Sequence, residues 1–152
     1  MTKKIAGSKR LAEAEACLYQ ALRLGLSTPT LLRELATSFM ASDRLTVAED
    51  LIRRAIAAEG TAVGASAGSR SAYHRKLLGD VLAGQQQASA AVDEYKRVLA
   101  SSGSEEAAAD VKVSAAERCM ALLQTLGRSE EAAAVRDILD VLRSASATAV
   151  AQ

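Results

Sequence analysis

Tryptophan and asparagine are missing from this 152-residue chain, which has one proline, one histidine, one phenylalanine, three tyrosines and two cysteines. Each shortage excludes something. With aromatics at 3% and no alternating run of β-branched residues, the chain offers no strand candidate, so its core must come from Leu, Ala, Val and Ile. The single proline, Pro29, leaves long stretches uninterrupted. Cys17 and Cys119 do not form a CxxC, and two thiols make no disulfide framework, so a reducing, cytoplasmic setting is expected. Both cysteines fall on apolar faces, where a free thiol behaves as a small hydrophobe. No stretch approaches the ~20 apolar residues of a membrane helix. The charged opening Met1-Thr2-Lys3-Lys4 has no apolar run after it, so it does not read as a secretory leader. Charge of one sign is also scarce. The net charge is +1, and Lys3, Lys4, Lys9 and Arg10 put +4 into the first ten residues, leaving the remainder at −3. A weakly acidic body with a basic tip is not a nucleic-acid surface.

What remains is helix-forming sequence. Runs such as Leu11-Ala12-Glu13-Ala14-Glu15-Ala16 and Glu105-Glu106-Ala107-Ala108-Ala109 are made of the strongest helix formers. Seven helices are predicted, over about 8–24, 29–41, 44–59, 71–83, 87–100, 104–126 and 129–143. Thr28-Pro29 is an N-cap followed by proline at the first helical position. Ser42 or Asp43 is placed to cap the third helix, and Ser104-Glu105-Glu106 the sixth. Gly25, Gly60, Gly84 and Gly127 mark stops. Between the third and fourth helices, residues 60–71 are nearly all small, which predicts a mobile loop. The domain reading is a disordered basic segment 1–7, a helical domain 8–143 containing that flexible loop, and a disordered tail 144–152.

Laid over itself, the chain repeats one pattern: Leu-(Ala/Gly)-x-x-apolar, with a small residue thirteen positions after the leucine. It reads Leu35-Ala36-x-x-Phe39 with Ala48, then Leu78-Gly79-x-x-Leu82 with Ala91, then Cys119-Met120-x-x-Leu123 with Ala132. Small residues let the two helices of a pair approach closely. Phe39, Ile52, Leu82 and Tyr95 are large enough to fill the space between successive pairs. The pattern resembles the tetratricopeptide (TPR) repeat, W-x2-L-G-x2-Y then A-x3-F then P. Leu32, Leu35, Ala36, Phe39, Ala48, Ile52 and Ala55 match one repeat, and Leu78, Gly79, Leu82, Ala91, Tyr95 and Val98 a second. Cys119, Met120, Leu123, Ala132 and Leu139 match a last one. Ala14, Leu18 and Ala21 look like the back half of an earlier repeat, since Ala14 lies 34 residues before Ala48.

The chain departs from the family in spacing. Ala48 to Ala91 is 43 residues and Ala91 to Ala132 is 41, against a family period of about 34. The extra length fits the small-residue loop and a lengthened sixth helix, and no Trp fills the first signature position. The resemblance implies an all-α fold of antiparallel helix hairpins stacked as a short right-handed α-solenoid of about seven helices. A four-helix-bundle variant or a related helical repeat is the alternative that the pattern leaves open.

The chemical motifs are weak. Gly64-Ala65-Ser66-Ala67-Gly68 matches the G-x-S-x-G elbow of serine hydrolases, which needs a strand before it, a helix after it and a histidine base. Here it sits in a low-complexity loop, and chance explains it. His74 has no Cys or carboxylate partner at ligand spacing and reads as a surface or rim histidine. Glu13 and Glu15, Glu105 and Glu106, Glu130 and Glu131 read as caps and solvated faces. Neither an enzyme nor a cofactor or metal site is expected.

The resemblance implies a non-catalytic protein-interaction module, an adaptor or co-chaperone, whose first helices line a concave groove for a partner peptide or helix. The groove positions it implies are Arg33, Thr37 and Met40, then Tyr73, Lys76 and Asp80, then Glu117 and Gln124, with Thr30, Ser114 and Ala121 beside them. Arg33, Lys76 and Tyr73 suit an acidic or extended peptide. The absence of Asn argues against the carboxylate clamp that some members use on chaperone tails. The second reading is a scaffold subunit that self-associates into a homo-oligomer or larger complex through its terminal helices.

Overall fold

In the computed structural model, residues 2–60, 67–101 and 106–150 are described. Among them are seven α-helices: α1 (Thr2–Arg23), α2 (Pro29–Ala41), α3 (Leu45–Glu59), α4 (Ala67–Gly84), α5 (Ala88–Ala100), α6 (Glu106–Thr125) and α7 (Ser129–Val150). The chain divides into two compact units, Met1–Glu59 and Gly60–Gln152. α1 begins at Thr2 and α7 continues to Val150, so helix reaches into both segments expected to be tails. α4 starts at Ala67, inside the expected loop. Residues 61–66, including Ser66 of the hydrolase-like motif, lie outside the described residues, as does the Ser104-Glu105 cap.

Sequential helices pair antiparallel: α2 with α3 in the first unit, α4 with α5 and α6 with α7 in the second. The hairpin turns are built alike. After α2 the Arg44 N–H donates to Phe39 O at 2.9 Å, after α4 Gln87 N–H to Leu82 O at 2.9 Å, and after α6 Arg128 N–H to Leu123 O at 2.9 Å. Each bond spans a residue in the left-handed region: Asp43 (φ 60°), Gln86 (φ 63°) and Gly127 (φ 71°). This closure satisfies carbonyls that the helix end would otherwise leave open. Its acceptor is each time the apolar residue that closes the repeated motif. Ser42 and Asp43 therefore serve the end of α2 rather than the start of α3: the Ser42 hydroxyl donates to Ser38 O and Phe39 O. The cap expected for α2 forms, with Thr28 Oγ1 accepting from Leu31 N–H at 3.3 Å.

In the first unit Leu35, Ala36 and Phe39 of α2 and Ala48, Ile52 and Ala55 of α3 are fully buried. α1 meets this hairpin at Tyr19 and Glu15: Tyr19 meets the Phe39 ring edge-on, with centroids 5.8 Å apart, and Glu15 pairs with Arg44. The Arg44 guanidinium also sits 4.9 Å from the Phe39 centroid. Glu15 is thus a buried ion-pair partner rather than a solvated carboxylate. α1 turns Cys17 to solvent, whereas Cys119 is buried, so the apolar-face reading holds for Cys119 alone. Burial raises the Cys119 thiol above its ordinary pKa.

In the second unit α6 packs against both α4 and α5. Its buried residues follow helical spacing: Leu78, Val81 and Leu82 on α4, Ala91, Val92, Tyr95 and Val98 on α5, Ala115, Ala116, Cys119 and Leu123 on α6, and Ala132, Val135 and Leu139 on α7. Gly79 shows why the motif wants a small residue: a Cβ there would lie 2.6 Å from Tyr95 Cε1. Tyr95 therefore packs across its own hairpin partner. Lys112 Nζ donates to Ser101 O at 2.6 Å and ties α6 to the end of α5. His74 is buried, not at the rim, because it shares the face of Leu78 and Val81.

Candidate functional site

The positions implied for a groove lie on α2 in the first unit and on α4 and α6 in the second. On α2, Arg33 is half-buried with Glu34 at 4.0 Å, and Thr37 is exposed with its hydroxyl bonded back to Arg33 O at 2.9 Å. Met40 is half-buried. The three share one side of α2, one turn apart.

α4 and α6, the first helices of consecutive hairpins, are neighbours. Their common face centres on Asp80. The Tyr95 hydroxyl donates to Asp80 Oδ1 at 2.6 Å, Arg118 Nη1 donates to the same oxygen at 2.8 Å, and Lys76 Nζ lies 3.3 Å from Oδ2. The Asp80 side chain is 8% exposed, so this is a charge-assisted network in a half-dry setting. Burial, and then the bond to Asp80, hold the Tyr95 hydroxyl well above its ordinary pKa. Asp80 and Lys76 are thereby committed to the wall itself.

What faces outward is different. Tyr73 stands on the Asp80 side of α4 and is exposed. Arg118 keeps 53% of its side chain exposed while anchored at its tip. Glu117 and Gln124 are exposed along the α7 edge of α6, and Glu117 is held by Arg143 of α7 at 2.6 Å. The α4/α6 face thus offers an aromatic ring, a fixed guanidinium, an anchored carboxylate and an amide, four groups suited to a peptide's main chain and polar side chains. Arg118 and Arg143 were not among the residues read from sequence. Each pairs across a separation of 38 or 26 positions, which local spacing does not reveal.

A second polar cluster braces the other helices. Glu131 accepts from Arg128 at 2.7 Å and from Lys96, and these bonds hold its carboxyl down at about 2. Buried Glu94 is shared by Arg97 at 2.7 Å and Arg75 at 3.4 Å. No group of three or more His, Cys, Asp or Glu placed to hold a metal occurs among the described residues. Among them, too, no helix is long and apolar enough to cross a membrane.

The chain is similar to the crystal structure of a kinesin-light-chain-type protein from Podospora anserina built of nearly identical TPR-like repeats. The TM-score is 0.67 over 91% of this chain and 70% of that one, at 14% sequence identity. At that identity the likeness is one of fold: the chain has the TPR-like repeat fold. No family model and no curated protein matches the sequence.

Proposed function

We propose that this chain is a non-catalytic interaction module, an adaptor or co-chaperone, that holds a partner peptide or helix on the face formed by its first helices. The observation that carries the reading is the bridge from Arg118 to Asp80, which fixes α4 and α6 side by side with Tyr73, Glu117 and Gln124 facing out. A network already satisfied within the protein costs no reorganisation when a ligand arrives, and so favours binding. Within the first unit, α2 presents Arg33, Thr37 and Met40 on one side.

Tyr73→Ala combined with Gln124→Lys tests this, because both side chains are exposed. Against a peptide selected from a display library on the immobilised chain, the double variant should bind at least about tenfold more weakly, equivalent to ~1.4 kcal/mol, with its melting temperature unchanged. Undiminished binding would remove the α4/α6 face from the account. The competing reading, a scaffold subunit joined through its terminal helices, draws on exposed Leu24 and Leu26 just past α1. Light scattering at two concentrations separates the two, since a monomer at both leaves the scaffold reading without support.

A further inference from the structure

The second unit has an apolar hollow on its other side. It lies between α5 and α7, measures about 320 Å³, and is lined by Leu99, Val135 and Ile138 with the small Ala100 and Ala134 between them. The Lys96–Glu131 pair closes one end. Beyond the hollow the apolar line continues along α7: Ile138 is 42% exposed and Val141 69%. Ala134, Ile138 and Val141 follow helical i, i+4, i+7 spacing beside the buried Ala132, Val135 and Leu139, of which Val135 also lines the hollow. α7 therefore carries a broader apolar stripe than a surface helix needs.

The repeat register makes this informative. Counting from the motif alanines Ala48, Ala91 and Ala132, the positions of Ala134 and Ile138 are held in α3 by Asp50 and Arg54, and in α5 by Asp93 and Arg97. Asp50 and Arg54 form an exposed ion pair at 2.9 Å, the solvated outer face expected of a second helix. At the same two places α7 has replaced acid and base with alanine and isoleucine. The charges around the hollow are also lopsided. Glu130 and Asp137 are exposed along the flank of α7 away from α5, and Asp93 is exposed on α5. Lys96 and Arg128 bond Glu131, Arg97 bonds Glu94 and Arg143 bonds Glu117 across the opposite flank, while exposed Arg136 stands at the back of α7 beside Asp140, away from Ile138.

We infer that the α5/α7 groove is a second docking surface, taking an amphipathic helix of a partner protein whose apolar ridge fills the line from Leu99 to Val141 and whose flank carries Lys or Arg. Groove and ridge match in kind, since a furrow between two neighbouring helices accepts the side-chain row of a third. The acidic rim sets the sign of the partner and speeds its encounter. This surface belongs to the second helices and does not depend on the α4/α6 reading.

The probes are an 18-residue Leu/Lys amphipathic helical peptide and its Leu/Glu counterpart, fluorescently labelled and titrated with the full chain in anisotropy. The Leu/Lys peptide should bind at least tenfold more tightly than the Leu/Glu peptide, and less tightly as salt is raised. Ala134→Asp with Ile138→Arg restores the residues that α5 carries, so this variant should keep its melting curve and lose at least tenfold in affinity. Glu130→Lys with Asp137→Lys should reverse the preference between the peptides. Equal binding of the two peptides, or binding indifferent to Ala134→Asp/Ile138→Arg, would overturn the inference. So would a wild-type dimer that this double variant turns into a monomer, because the groove would then belong to a second copy.

Discussion

Gly79 lies against the Tyr95 ring, and Asp80 next to it is bonded by Tyr95, Arg118 and Lys76. Gly79→Ala places a methyl group where the Tyr95 ring already is, and overpacking of this kind costs about 1–3 kcal/mol, to be read as a lower melting temperature. Tyr95→Phe keeps the ring and removes its bond to Asp80, for a smaller loss of about 1 kcal/mol. Glu131 gives a pH-dependent test. Its carboxyl titrates at about 2 when folded, against 4.5 ordinarily, so its pairing stabilises the protein fully above about 4.5 and is lost as the pH falls toward 2. Glu131→Gln should lower the melting temperature at pH 7, and the gap from wild type should close between pH 4.5 and pH 2. A gap that persists at pH 2 would contradict that origin. At this scale the sequence was half legible. Small residues at Gly79, Ala91 and Ala132 announce close helix approach by their size, whereas the burial of Glu15 and His74 depends on where the chain folds back. Glu15 meets its arginine 29 positions away.

Among the elements, the turns set the repeat as firmly as the helices do. Asp43, Gln86 and Gly127 occupy the same left-handed position, and only the last is the residue suited to it. Gln86→Gly should therefore stabilise the α4–α5 hairpin by up to about 1 kcal/mol, measurable as a higher denaturant midpoint. A lower midpoint would mean that the Gln86 side chain contributes something its backbone conformation does not show. Helix existence was readable from the 3.6-residue periodicity of α2, α3 and α5, whose apolar stripes are regular. The ends were less so: α1, α4 and α7 extend past the points where their stripes fade, because Ala-rich segments such as 144–150 favour helix by propensity with no face to bury. The left-handed residues were missed because Asp and Gln do not signal that conformation as Gly does.

For the whole molecule, the TPR-like fold follows from hairpins that cannot cover their own apolar faces. The long spacings between motif alanines are largely taken up by longer first helices, 18 residues in α4 and 20 in α6 against 13 in α2, and leave the pairing of helices unchanged. The residues implied for a groove sit on first helices, but they divide into two kinds. Lys76 and Asp80 build the wall, while Tyr73, Glu117 and Gln124 face away from it. That division was not legible, since it is set by Tyr95 and Arg118 reaching Asp80 from two other helices.

Amide-shift mapping of the labelled chain, titrated with a display-selected peptide, tests the central claim most directly. The shifts should gather on the first helices of the second unit, around Tyr73 of α4 and Glu117 and Gln124 of α6. Shifts confined to the second helices α3, α5 and α7, or failure to select any peptide that binds, would contradict it.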